Sequence, residues 1–186
     1  MTAADAGTAP RIAPGTLRQI GPLAWLVSRI SGRVAGTGPP NLFLTLGRHR
    51  RLFLGWAHFA GRLMPGGRLS RRDTELVILR VAHLSACAYE LDHHTRLAAR
   101  AGIDDAAVAR VGDGPGAAGW TERERALLEA VDELHTDGDL TDATWGALSD
   151  HLDERQRIEL VLLVGHYEML ATAIAALRIQ PDAARP

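Results

Sequence analysis

Apolar residues recur along this chain every three to four positions and nowhere alternate strictly, a pattern that predicts helices throughout and no sheet. The rhythm opens with Leu17, Ile20, Leu23, Leu26, Val27, Ile30 and Val34, broken at Gly21-Pro22, where the proline suits a first helical turn. Gly36-Thr37-Gly38-Pro39-Pro40 ends it. Asn41 is placed to cap a short helix to about Gly47, and Leu52, Trp56, Phe59, Ala60 and Leu63 line one face of the next, over residues 50–63. Met64-Pro65-Gly66-Gly67 stops that helix. Ser70, with Asp73 three residues on, resembles a capping box and opens a helix over residues 71–84 that is apolar nearly all round. Ser85 breaks the chain again before a helix over residues 87–101, which Gly102 closes. A short helix over 104–111, a Gly-rich loop, a T-x-x-E box at Thr121–Glu124 and helices to about His135, over 141–151 and over 152–177 complete the chain. The expected fold is all-α, with one helical domain over residues 16–178 between flexible tails at 1–15 and 179–186.

Charge and composition narrow the function classes. Lys and Arg total 21 against 22 Asp and Glu, and a net charge of -1 argues against a nucleic-acid partner. A single cysteine, Cys87, excludes an internal disulfide and any CxxC redox pair. No stretch reaches the ~18 apolar residues of a membrane span, and the N-terminus shows no basic segment followed by an apolar one. The expectation is a cytoplasmic protein with no membrane partner.

The candidate chemistry lies in ELVILRVAHLSACAYELDHH, residues 75–94, with the spacing Glu-x11-Cys-x2-Glu-x3-His. On a helix, Cys87, Glu90 and His94 fall on one stripe, together with Leu91, Leu97, Ala98 and Ala101. A thiol, a carboxylate and an imidazole thus share the apolar face, where unpaired ionisable groups are costly. Glu75, on the preceding helix, is placed to orient His94 or share a proton with Glu90, and two carboxylates in one apolar site divide into an acid and a base. A cysteine at a helix start is favoured as thiolate. Each residue also has a structural reading: Cys87 as a small buried hydrophobe, Glu90 and His94 as an ion pair on a wet face. A second motif, Glu159-Leu160-Val161-Leu162-Leu163, echoes Glu75-Leu76-Val77-Ile78-Leu79 and suggests two related helical halves. His166 and Tyr167 follow it, and Trp56 precedes the first motif; these three are the candidate substrate-lining residues. No HExxH or paired ExxH signature appears, so no metal is expected.

The pattern Glu-x11-Cys-x2-[Cys or Glu]-x3-His, set in ELVILRVAHLSACAYELDHHTRLAARAGI, resembles the carboxymuconolactone decarboxylase family, whose superfamily includes the alkyl hydroperoxidase D type of peroxidase. The likeness runs from Asn41 to Ile103 and more weakly to the end. It implies an all-helical fold, a homo-oligomer (trimer, hexamer or dimer) and a site near subunit contacts. In the peroxidase branch, residues matching Glu75 and His94 relay protons to a CxxC pair, and Cys87 matches its first cysteine. Glu90 stands where the peroxide-attacking cysteine belongs, which removes the disulfide cycle. The decarboxylase branch keeps acid–base groups without a redox pair and works without a cofactor. The resemblance therefore implies acid–base catalysis on a small organic acid or lactone by Glu75, Glu90 and His94, with Cys87 lining the site. No arginine lies on the stripe to hold a substrate carboxylate, which leaves Arg80 or a neighbouring subunit for that task. The competing readings are a peroxidase using Cys87 alone and a non-catalytic binding protein.

Overall fold

The computed structural model describes residues 9–183 and, among them, ten helices and no strand. The helices are α1 (Leu17–Ile20), α2 (Pro22–Ala35), α3 (Asn41–Leu46), α4 (Arg50–Leu63), α5 (Arg71–Leu84), α6 (Ala88–Arg100), α7 (Asp105–Asp113), α8 (Glu122–Asp137), α9 (Asp142–His151) and α10 (Glu154–Leu177). The described residues fall into two compact units, 9–58 with 172–183, and 59–171.

The first unit is built on Ile20, Ala24 and Phe53, against which Trp25, Phe43 and Trp56 pack. Phe43 meets Trp56 edge-on with ring centroids 5.1 Å apart. Trp56, expected to line the site, stands in this aromatic cluster. Parts of both expected tails are bonded into this unit. The Arg11 N–H donates to Leu177 O at 3.0 Å and its guanidinium to Ala176 O at 2.7 Å. Gly15 sits so close to α1 that a Cβ there would lie 2.4 Å from Ile20 Cγ2. At the other end, Asn41 Nδ2 donates to Gln180 O at 3.1 Å and to Pro181 O at 3.0 Å. Polar side chains thus hold residues that Gly, Ala and Pro made look loose, and residues 1–8 and 184–186 lie outside the described residues. Asn41 is also not the cap of α3. Pro40 takes the N-cap position, and the Asp182 carboxylate accepts the Asn41 N–H at 2.7 Å, placing negative charge at a helix start.

The second unit is organised around α5, whose residues from Asp73 through Ala82 are all buried. The all-round apolar sequence is explained by its place: α6, α7 and α8 pack about it. Leu76, Leu79, Ala98, Ile103, Val111, Trp120 and Leu128 form one core cluster there. Three arginine–carboxylate pairs join α5 to α8: Arg72–Glu124 at 2.8 Å, Arg123–Asp73 at 2.8 Å and Arg80–Asp132 at 2.6 Å. Asp73 therefore serves Arg123 rather than reaching back to complete a capping box with Ser70.

The box at the start of α8 does form. Thr121 Oγ1 accepts the Glu124 N–H at 3.2 Å, and Glu124 Oε2 accepts the Thr121 N–H at 3.0 Å. Thr121→Ala is expected to cost about 1 kcal/mol, lowering the melting temperature by roughly 2–4 °C. Thermal unfolding followed by circular dichroism checks this; an unchanged midpoint would show that the cap contributes nothing.

α10 departs from one expectation. Although His166, Tyr167 and Glu168 interrupt its apolar run, the 24-residue helix is long and apolar enough to cross a membrane by length and composition. Of its most apolar window, 44% is buried inside the protein. Leu160, Leu163, Val164, Tyr167 and Leu170 are buried in the protein core.

Candidate active site

The turn between α5 and α6 creates the site. The Ala86 N–H donates to His83 O at 3.0 Å and the Cys87 N–H to Ala82 O at 2.8 Å, the two bonds of a Schellman ending. Ala86 occupies the left-handed position with φ 49°, where glycine is usual, so the chain carries backbone strain one residue before Cys87. Cys87 becomes the N-cap of α6, and Glu90 and His94 follow on its buried face.

His94 is held between two carboxylates. Its Nδ1 lies 2.7 Å from Glu75 Oε2 and its Nε2 lies 3.3 Å from Glu90 Oε2. Glu75 is 0% exposed, His94 2% and Glu90 3%, so water does not screen the three. Burial alone lowers the imidazole pKa, but the hydrogen bonds and negative charges of Glu75 and Glu90 outweigh it and raise the group from 6.5 to about 9. At neutral pH the ring is an imidazolium donating toward both acids. Arg71, one helical turn before Glu75, reaches Glu75 Oε1 at 3.2 Å from a partly exposed position. Glu90 Oε1 is buried with no hydrogen-bond partner.

α10 closes this group with aromatic rings. Tyr167 stands edge-on to His94 at 5.1 Å, and His166 meets Tyr167 at 5.3 Å and Phe59 at 5.5 Å. Burial lowers His166 to about 4 against the opposing pull of Glu90, so this second imidazole is neutral. Burial likewise raises the Tyr167 phenol, and the charges of Glu90 and Glu75 add to the effect. The structure thus brings together Glu75, Cys87, Glu90, His94, His166 and Tyr167. Arg71 and Phe59 were missed. An i,i+4 spacing to Glu75 was the available signal for Arg71; for Phe59, a member of an apolar stripe, there was none.

Two other residues named from the sequence take different places. Arg80 cannot hold a substrate carboxylate: its guanidinium grips Asp132 at 2.6 and 2.8 Å and donates to Val111 O and Gly112 O at 2.9 and 3.1 Å. Glu159, the counterpart of Glu75, accepts the N–H groups of Arg68 at 2.6 Å and Leu69 at 3.1 Å.

Cys87 also corrects an expectation. The N–H groups of Glu90 and Tyr89 at the helix start do favour a thiolate, yet burial and the Glu90 charge prevail and push the thiol from 9.0 up to about 11. Its alkylation by iodoacetamide is expected to be slow at pH 7.5 and still rising above pH 10. Mass spectrometry across a pH series checks this, and a rate that levels off below pH 9 would contradict it.

Comparison with known proteins agrees with this architecture. The sequence model of the carboxymuconolactone decarboxylase family matches residues 50–133. The chain resembles that family over this stretch, which carries α5 and α6. No curated protein gives a significant match. Among solved structures, the chain is similar to the alkylhydroperoxidase AhpD core of an uncharacterized peroxidase-related protein from Ralstonia eutropha JMP134, at 17% identity and TM-score 0.83 over 95% of this chain and 94% of that one. It is also similar to the debrominase Bmp8, in a cysteine-to-alanine variant in complex with 2,3,4-tribromopyrrole, at 19% identity and TM-score 0.80 over 97% and 95% of the two chains. An uncharacterized peroxidase-related protein from Silicibacter sp. TM1040 matches at 17% identity and TM-score 0.80 over 96% of each. The shared feature is the alkyl hydroperoxidase D-like helical fold.

Proposed function

We propose that this chain is an acid–base enzyme that moves protons on a small organic molecule, His94 being the acid and base at the reacting centre. The decarboxylation or isomerisation of a small organic acid or lactone, without a cofactor, is the form that the likeness to the carboxymuconolactone decarboxylase family supports. The observation carrying the reading is the clamp on His94: one ring nitrogen at 2.7 Å from Glu75 and the other at 3.3 Å from Glu90, all three buried. Burying three ionisable groups is costly, and such arrangements concentrate where protons are transferred. Glu75 orients the ring, and Glu90 shares the second proton. His166 and Tyr167 line the reacting side, and Cys87 is a neighbouring thiol rather than the nucleophile.

The reading includes a cytoplasmic homo-oligomer. Leu23, Leu26, Ile30 and Val34 stand about half exposed along α2, at 56%, 53%, 51% and 52%, and support assembly through apolar surface. A peroxidase using Cys87 alone is less well supported, because a protonated, buried thiol is a poor partner for peroxide and Glu90 stands in place of the second, peroxide-attacking cysteine of the pair. The test is hydrogen–deuterium exchange at acidic C–H positions of a panel of small unsaturated lactones and acids in D2O, read by NMR. The protein is expected to catalyse exchange in at least one, and His94→Gln to abolish it. Exchange that survives that substitution would overturn the assignment.

A further inference from the structure

The charge and hydrogen-bond balance of this site limits what it binds. Two carboxylates, Glu75 and Glu90, occupy it, and the imidazolium of His94 is committed to both. Arg71 is committed to Glu75, and Arg80 to Asp132. An incoming carboxylate would meet two carboxylates and cations already engaged, an arrangement in which none of these cations is free to pair with it. Two carboxylate oxygens of the site accept no hydrogen bond: Glu75 Oε1, which the Arg71 guanidinium approaches at 3.2 Å, and Glu90 Oε1. Glu90 is 3% exposed, its Oε2 faces His94, and its Oε1 has no hydrogen-bond partner. A buried acceptor left unmade is costly, and a carboxylate oxygen only accepts. His166 and Tyr167 lie close enough to feel the Glu90 charge, Tyr167 edge-on to His94 at 5.1 Å and His166 edge-on to Phe59 at 5.5 Å.

We infer that the ligand of this site is a flat, neutral O–H or N–H acid, such as an enol, a phenol or a pyrrole-type ring, which donates its proton to Glu90 Oε1. The inference rests on the acid–base reading and sharpens it. It turns the site from carboxylate recognition toward a weakly acidic X–H group, and so toward isomerisation-type proton transfer. Bound this way, the ligand completes the Glu90 carboxylate while the other oxygen keeps His94 in place. One carboxylate then links the ligand's proton to the imidazolium. The debrominase of the same fold is seen with a ring of this kind, a pyrrole.

Three probes of similar size test it on the full chain at pH 7. Phenol offers the donor, anisole has the same ring without it, and benzoate replaces it with a carboxylate. Affinities are read by calorimetry, and the ring resonances of His94 and His166 report where each probe sits. Phenol is expected to bind at least about tenfold more tightly than either of the others, the worth of one hydrogen bond to a charged acceptor, and to shift both histidine signals. Glu90→Leu is expected to reduce the preference over anisole to about twofold or less. Benzoate binding as tightly as phenol, anisole equal to phenol, no phenol binding, or a preference that persists in Glu90→Leu would each overturn the inference. The wild-type series decides the matter even if that variant does not fold. Failure here while His94→Gln still abolishes C–H exchange refutes the ligand class alone; loss of the His94 effect refutes the acid–base reading.

Discussion

Replacing His94 by glutamine is expected to reduce kcat/KM by about 10²–10⁴-fold, the range contributed by a positioned general acid or base. Glutamine keeps polarity and approximate size but holds no exchangeable charge, so it preserves contact with Glu75 and Glu90 while ending proton transfer. The wild-type profile should carry its own signature. Because His94 is raised to about 9, the imidazolium available as acid persists through neutral pH. Activity that depends on it falls as pH rises through that value. The Glu90→Gln variant removes one of the two charges that sustain the imidazolium and should move this alkaline limb to lower pH. A pH–rate profile of wild type and both variants decides the assignment. An alkaline limb that stays in place in Glu90→Gln would show that the titrating group is not His94.

The second large effect concerns stability. Glu75→Leu is expected to destabilise the protein by about 3–5 kcal/mol near pH 6, the usual cost of breaking a buried ion pair by removing one member. The substitution leaves a cationic ring without its 2.7 Å partner. The direction with pH follows from the raised value. A histidine whose folded pKa lies above its unfolded one contributes stability in full below about 6.5, and that contribution is lost as pH rises toward about 9. The wild type is therefore expected to weaken between pH 6.5 and 9, and the gap to Glu75→Leu to narrow over the same interval. Denaturant midpoints of both proteins at pH 6 and pH 9.5 measure it. A gap of constant size would mean that Glu75 acts by packing and not through the charge on His94.

What could be read from the chain alone divides along physical lines. Helix positions followed from local signals, so the breaks at Gly21-Pro22 and Ser85 and the capping box at Thr121 all stand where periodicity and caps placed them. The convergence of Glu75, Glu90 and His94 was also legible, since two helices joined by a short turn leave few ways to bury their stripes. What sequence did not reveal depends on partners distant along the chain. Arg80 looked available because Asp132 and the carbonyls of Val111 and Gly112 lie far from it in sequence. The thiolate expected at the start of α6 gave way to burial, a quantity set by the whole core. Phe59 beside His166, and Asn41 bonded to residues 180–182, likewise join segments more than a hundred residues apart.

The repeated glutamate motif has a further meaning. Glu75 faces His94, while Glu159 at the same place in the second motif holds the backbone of Arg68 and Leu69, the approach to α5. That approach has no room for a side chain at Gly67, where a Cβ would lie 2.2 Å from Glu159 Oε1 and 2.4 Å from Leu63 O. The two copies thus divide labour: one carboxylate faces the imidazole, and the other ties down the backbone that leads into its helix. A library of variants selected for proton transfer should accordingly find Gly67 and Glu159 nearly as intolerant as Glu75, although neither touches the imidazole.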